Sequence, residues 1–362
     1  MAVLTTQDLS KILKNTYKRV HKSDPKAIDV KKRPWIRFLE SKREDSGFEG
    51  GVIMYPLVLS FSDPGQTWAG DDEIEAHDPD FSLNLEFGYF NYTTAIIIKH
   101  DLLTRLGFSI KANGSGLIQS RAMGEDMAFK ITNYVKSLVK KFKDNHDQYL
   151  DRLLLRSGSA SPTDPVGLFG ILTEDPTTGT IGGLSRVTYT QLRHQRQTGL
   201  TPTAGGDFRS LWSNTLRQAN QYSHANGIDG EIDFYMAGKS FIEDYKTWGE
   251  LNGYRVNRDM GPLKAKFDFA IPDTSLHFED VPIIYNPSLD ALDSVDTFSP
   301  TAVKLCIGLN SKTWHYKSLP GKYKDLSSPA DPPKQRITRE DIDTTAHLAC
   351  DAPASNMIIA TD

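Results

Sequence analysis

Cysteine is scarce in this chain. Its 362 residues hold two, Cys306 and Cys350, lying 44 residues apart without a CxxC partner. That spacing argues against a disulfide framework or a zinc site and for two buried thiols. Apolar runs are only a few residues long, far short of a membrane span. The opening stretch, MAVLTTQDLSKILKN, lacks the basic-then-apolar layout of a signal peptide. The nine histidines have no companions at metal-ligand spacing. His77, with Asp72 and Asp78 nearby, comes nearest and reads as a solvated acidic tip. No GxSxG motif and no Cys/His pairing marks a nucleophile, so neither a cofactor nor a catalytic residue is assigned. Asn113-Gly-Ser-Gly116 lacks the GK[ST] ending of a phosphate loop and reads as a turn before a helix.

The sharpest absence is positive charge. Between Arg43 and Lys99 lie 55 residues with no lysine or arginine, and eleven of them are Asp or Glu. The 43 residues before that gap carry twelve Lys or Arg against four acids, while residues 99–362 nearly balance at 30 basic and 31 acidic. A basic segment is thus followed directly by an acidic one in a chain of net charge −4. Two complementary surfaces follow, within one chain or between copies. Near-neutral overall charge argues against a dedicated nucleic-acid binder. With 38% hydrophobic and 24% charged residues, the composition is that of a folded protein of two or more units.

Along the chain, Thr5 or Thr6 can cap a helix through about Val20, with Leu9, Ile12, Leu13 and Tyr17 on one stripe. Residues 52–61 form an apolar β-type run. Phe81, Leu83, Leu85, Phe87 and Tyr89 then alternate with polar or small residues, as a half-buried strand does. The period breaks at Tyr89-Phe90, predicting a bulge or bend before a buried run Ala95–Ile98. Pro56, lacking an N–H, belongs on an edge strand or at an irregularity. The two runs predict a long acidic hairpin with Trp68 in its tip. From Glu125 to Ser157 there is no Gly or Pro, and Met127, Ile131, Tyr134, Val135, Leu138 and Phe142 recur at helical spacing. The stripe thins across Lys143–Gln148 and resumes at Tyr149, Leu150, Leu153 and Leu154. Such a helix is roughly 50 Å long. A Gly/Pro/Ser/Thr-rich stretch follows, with Gly182-Gly183 read as loop chemistry. Helices are predicted over 207–225 and Lys239–Leu251. Strands are predicted over Ile232–Ala237, Lys264–Ile271, Val281–Tyr285, Val303–Gly308, Ala346–Cys350 and Met357–Ala360.

In this order the pieces resemble the tailed-bacteriophage major capsid proteins of the Hong Kong 97-type fold. The likeness rests on Trp68-Ala-Gly-Asp-Asp-Glu73, Phe81–Glu86 and Thr94–Leu103, then on Gly167-Leu-Phe-Gly-Ile171 and Gly182-Gly-Leu-Ser-Arg186. Val281-Pro-Ile-Ile284, Ile307-Gly-Leu-Asn310 and Leu348-Ala-Cys-Asp-Ala-Pro353 complete it. The resemblance implies an α+β fold in five parts. These are an N-terminal arm (residues 1–47), an E-loop hairpin (48–98), a peripheral domain with a spine helix (99–160), an axial domain (161–300), and return strands (301–362). It implies a non-enzymatic shell protein, forming hexamers and pentamers around double-stranded DNA. The protein would assemble in the host bacterial cytoplasm with portal and scaffolding proteins, and a decoration or cement protein is possible. DNA contact would be weak and non-specific, and no membrane is involved. The alternatives are an encapsulin-type nanocompartment shell and a carboxylate-dependent hydrolase.

In that fold the arm and E-loop reach neighbouring subunits. The expected intersubunit contacts are therefore Lys11, Lys14, Lys18, Arg19, Lys31, Lys32, Arg33 and Arg37 on the arm. Trp68, Asp71, Asp72, Glu73, Glu75, Asp78 and Asp80 are their counterparts on the hairpin. Some relatives weld the loop to a neighbour through a Lys–Asn isopeptide bond. With no lysine between residues 44 and 98, a loop-lysine bond of that kind is excluded here. Some relatives also begin with a scaffolding segment of about a hundred residues, and only some 47 residues precede the hairpin. A separate scaffold and no N-terminal processing are the expectation.

Overall fold

The computed structural model describes residues 3–5, 33–46, 52–57, 83–99, 108–111, 117–120, 125–158, 163–203, 206–225, 228, 230–252, 276–292, 301–326 and 337–362. The chain divides into two compact units. One takes residues from 1–25, 91–150 and 318–346; the other takes residues from 26–90, 151–317 and 347–362. The predicted arm helix, the strand Lys264–Ile271 and the hairpin tip lie outside the described residues.

The second unit is organised by a six-stranded mixed sheet. Its strand order is Gln195–Leu200, Met357–Thr361, Leu305–Leu309, Phe234–Ala237, Val281–Tyr285 and Leu276–Phe278. The outer pair Gln195–Leu200 and Met357–Thr361 runs parallel, as does the pair Phe234–Ala237 and Val281–Tyr285. The segment Phe-Tyr-Met-Ala at 234–237 is buried at every position, as expected of a strand covered on both faces. Tyr235 and Ala237 meet the helices Phe208–Ala225 and Lys239–Leu251. Phe208, Trp212, Leu216 and Ala219 recur every three or four residues and form one buried stripe. The Trp212 ring stacks on Phe278 at 3.8 Å and meets Tyr235 edge-on at 5.1 Å. Phe234, its side chain alternating to the other face, lies 4.7 Å from Phe38 of the helix Pro34–Ser41. Pro34 opens that helix where a missing N–H costs nothing. Gly238 starts the helix Lys239–Leu251 where a Cβ would lie 2.3 Å from the Val303 carbonyl oxygen.

The first unit holds a three-stranded sheet, Val3–Thr5, Leu117–Ser120 and Phe108–Lys111 in that order. Asn113-Gly-Ser-Gly116 is therefore followed by a strand rather than by the expected helix. Ile110 faces Ile118 across the antiparallel pair, which a short apolar run on each side of a Gly-rich link favours. The strand Phe90–Lys99 pairs with the long strand Ile337–Cys350, whose start lies nine residues before the predicted one. Ala95–Ile98 is not a uniformly buried run. Ile96 is buried and Ile97 is 43% exposed, because strand alternation turns them to opposite faces.

The long helix spans Glu125–Leu155. Its stripe departs from the predicted one. Tyr149 is 57% exposed, and Val139 rather than Leu138 is fully buried. Where the apolar stripe thins, polar side chains carry it on: His146, Asp147 and Asp151 are buried beside Leu150, Leu154 and Leu155. Within the first unit, His146 sits between the hydroxyls of Thr94 at 2.9 Å and Thr344 at 3.0 Å. Asp147 accepts from the Lys324 ammonium at 2.6 Å, with both side chains sealed from solvent. These partners satisfy groups that would otherwise be costly to bury.

The stacked aromatic core yields a direct expectation. Trp212→Ala should cost about 3–5 kcal/mol, the usual range for deleting a fully buried indole. A urea titration followed by circular dichroism will show it as a midpoint shifted well below wild type.

Candidate functional site

Of the fifteen expected contact residues, Arg33 and Arg37 are described; the other thirteen lie outside the described residues. Arg33 precedes the helix Pro34–Ser41 and is 7% exposed. Arg37 is partly buried and paired with Glu40 one turn on. The described residues next to the expected arm and hairpin tip, called their roots here, lie in the second unit.

The arm root is the helix Pro34–Ser41. Its N-terminal N–H groups have no intrahelical acceptor, and its capping residue Arg33 offers no side-chain cap. A carboxylate distant in sequence takes that part: the Ile36 N–H donates to Asp151 Oδ1 at 2.8 Å. The other Asp151 oxygen accepts from the Ser288 hydroxyl, at the start of the helix Pro287–Leu292. A buried anion at a helix N-terminus is doubly favoured, by the hydrogen bond and by the helix dipole. Beside it, Trp35 Nε1 donates to the Leu154 carbonyl at 3.2 Å, and the Trp35 ring meets Trp314 edge-on at 5.2 Å.

The hairpin root pairs Val52–Pro56 with Asn84–Gly88, with Tyr55 opposite Leu85 and Ile53 opposite Phe87. The predicted alternation holds: Leu85 and Phe87 are buried, while Asn84, Glu86 and Gly88 are exposed. Past Pro56, which has no N–H to give, the Leu57 N–H still donates to the Leu83 carbonyl at 2.9 Å, and the break expected at Tyr89 separates this ribbon from the strand Phe90–Lys99. Tyr55 stacks on His315 at 4.7 Å and on His347 at 5.8 Å, with the second pair of rings 2° from parallel. His315 Nε2 lies 3.0 Å from Asp351 Oδ2, and Lys317 Nζ stands 5.4 Å from the Tyr55 ring centre. Burial, reinforced by Asp351, pushes the Tyr55 phenol far above its usual range. Burial likewise holds the His347 imidazole down to about 4.

A second contact fixes the hairpin edge. The Glu86 N–H donates to the Gly182 carbonyl at 3.0 Å. Gly182 and Gly183 have φ of +53° and +83°, forming the two-residue turn between Thr180–Ile181 and Leu184–Ser185. A Cβ on Gly182 would lie 2.9 Å from the Glu86 nitrogen and 3.0 Å from the Leu85 Cα. The Gly-Gly pair is thus more than loop chemistry. Its positive φ and its closeness to another strand both demand glycine.

The Gly-Gly-x-x-Arg element also meets the Gly167–Ile171 segment. The Arg186 guanidinium, fully buried, donates to the carbonyls of Ile171 at 2.5 Å and Gly170 at 3.3 Å, and to the Thr173 hydroxyl. It thereby satisfies carbonyls at the end of the short helix Leu168–Ile171, though burial lowers its pKa to about 10. Burial, with Arg186 and Arg196 nearby, drives the His194 imidazole down to about 3.

Sequence reasoning missed Asp151, His347, His315 and Asp351 as structural centres. Only Asp151 left a signal, as a polar residue at a helical spacing where the stripe requires burial. Both cysteines are buried free thiols, as predicted. Among the described residues no group of three or more His, Cys, Asp or Glu could hold a metal ion, and no helix is long and apolar enough to cross a membrane.

No protein-family model matches the chain, and no curated protein matches it in sequence. Solved structures match it along nearly its whole length. The capsid asymmetric unit of cyanophage A-1(L) shares 13% identity, over 91% of this chain and 92% of that one, with a TM-score of 0.51. A chain of Gordonia phage Cozz shares 10%, over 91% and 87%, with a TM-score of 0.50. The holo-SrpI encapsulin complex from Synechococcus elongatus shares 10%, over 94% and 91%, with a TM-score of 0.49. The chain has the Hong Kong 97-type capsid fold.

Two substitutions probe the roots. Asp151→Ala strands the Ile36 N–H and the Ser288 hydroxyl in the interior and should cost about 2–4 kcal/mol, read as a lowered urea midpoint. Gly182→Ala adds both strain at positive φ and a backbone clash. Proteolytic cleavage within residues 52–88 should accelerate several-fold, while the midpoint for the six-stranded sheet changes little.

Proposed function

We propose, from the Hong Kong 97-type fold of this chain, that it is the major capsid protein of a tailed bacteriophage. It assembles as hexamers and pentamers into an icosahedral shell that encloses double-stranded DNA. The observation that carries this reading is the whole-chain match to the cyanophage A-1(L) capsid, in which about nine-tenths of each chain is covered. The role is structural rather than catalytic, and its mechanism is assembly. Heterologous contacts around rotation axes close rings, and projecting segments tie rings together.

The charge split gives those segments their chemistry. Residues 1–43, with an excess of eight positive charges, form the arm; residues 44–98, with eleven negative charges, form the hairpin. At physiological salt, exposed charges separated by more than about 8 Å are screened, so the two must touch to attract. Each exposed pair contributes roughly 0–1 kcal/mol, and the effect accumulates over the many copies of a shell. With no lysine in the hairpin, these ties are non-covalent on the loop side. A near-neutral chain also suits an inner wall that holds DNA weakly. Portal and scaffolding proteins, and in some shells a decoration protein, complete the set of partners. The location is the virion, after assembly in the host bacterial cytoplasm.

Negative-stain imaging and sedimentation of the purified chain test the assembly. Megadalton shells or ring-shaped capsomers are expected; a small soluble oligomer alone would overturn the reading in favour of an enzyme. Shells loaded with a protein cargo rather than DNA would favour a nanocompartment. The charge clamp has its own test, which spares the buried Arg33. Lys31→Glu with Lys32→Glu should leave the circular dichroism spectrum intact and reduce the assembled fraction several-fold. Adding Asp71→Lys, Asp72→Lys and Glu73→Lys should restore part of it. Unchanged assembly in the double variant removes the clamp.

A further inference from the structure

We propose that His347 is an acid-operated latch for the hairpin root. Protonation of its ring releases the strands Val52–Pro56 and Asn84–Gly88 from the end of the strand Ile337–Cys350, while the six-stranded sheet stays folded. This goes beyond the shell reading and does not depend on it, since every group involved belongs to one copy of the chain.

The geometry leaves the imidazole no comfortable place for a second proton. The ring is fully buried. The hairpin surrounds it with three aromatic rings: Tyr55 parallel at 5.8 Å, Phe87 edge-on at 6.0 Å and Tyr89 tilted at 5.4 Å. Its Nδ1 lies 3.3 Å from the Gly88 carbonyl, a long bond that makes it the donor in the neutral ring. Its Nε2 is buried and has no hydrogen-bond partner. Acid would therefore place an N–H donor and a positive charge among aromatic rings without an acceptor.

The neighbouring charges offer no relief. On the strand Trp314–Ser318, Lys317 and His315 both act on His347 against a further proton. The carboxylate of Asp351 is engaged by His315 at 3.0 Å. Asp351, Glu44 and Tyr89 act on the Tyr55 phenol, which burial keeps neutral. The bond to the Gly88 carbonyl favours the protonated ring, and burial, the largest effect, outweighs it.

The sign follows from linkage. The docked hairpin holds this imidazole near 4, and release returns it toward its ordinary value near 6.5. Below 6.5 the released state binds more protons, so docking is at full strength above that pH and weakens as pH falls toward 4. Between pH 7.5 and 4.5 the docking equilibrium should fall roughly 70-fold.

Hydrogen exchange read by mass spectrometry on the full chain tests this, with protection corrected for the intrinsic pH dependence of exchange. Expected is a fall of at least tenfold in protection of peptides spanning 52–56 and 84–88 between pH 7.5 and 4.5, with 234–237 unchanged. His347→Gln, which stays neutral, and His347→Phe, which keeps the ring, should each abolish the fall. His315→Gln should retain it, separating the two imidazoles. Hairpin protection that persists to pH 4.5, that falls only together with residues 234–237, or that falls equally in both His347 variants overturns the latch.

Discussion

The second unit depends on one buried carboxylate. Asp151 lies on the last turns of the long helix, and its two oxygens hold the Ile36 N–H and the Ser288 hydroxyl. Remove it and the helix Pro34–Ser41 loses the acceptor that its own capping residue does not supply. That helix carries Trp35 and Phe38 onto Trp314 and Phe234, so the carboxylate indirectly seats one covering layer of the six-stranded sheet. A buried charge adds little net stability over a well-packed apolar substitute. What it does contribute is a defined position, since a carboxylate satisfied by two directed donors permits no sliding.

The strands and helices were largely legible because their patterns are local. The alternation over 84–88, the break at Tyr89 and the helix Lys239–Leu251 each follow from a few neighbouring residues. The helix Glu125–Leu155 was legible in extent but not in contact face. A stripe search treats His146, Asp147 and Asp151 as solvent-facing, whereas their partners lie 52 to 198 residues away. No local period encodes such a pairing. The same limit hid Asn356, a buried side chain whose Oδ1 accepts both the Asn310 N–H and the Trp314 indole and whose Nδ2 donates to the Ala352 carbonyl. Charge segregation, by contrast, is a matter of counting and needs no contact to be known.

The hairpin root combines two kinds of attachment. At Gly182 the contact is backbone to backbone and independent of pH, and it requires only that the turn carry no Cβ. At His347 the contact is an aromatic stack around a titratable ring. A ribbon held by one unresponsive and one responsive contact can be loosened without being lost.

The register of that ribbon is set close to the body, by Tyr55 opposite Leu85 and by the Glu86 bond to Gly182. Residues 58–82 link its two strands in sequence. Lengthening such a loop costs only about 0.6 kcal/mol of closure entropy per doubling. The root therefore acts as a socket whose insert is free to vary. Evolution or an engineer can lengthen, shorten or replace the distal sequence while the strands stay in register.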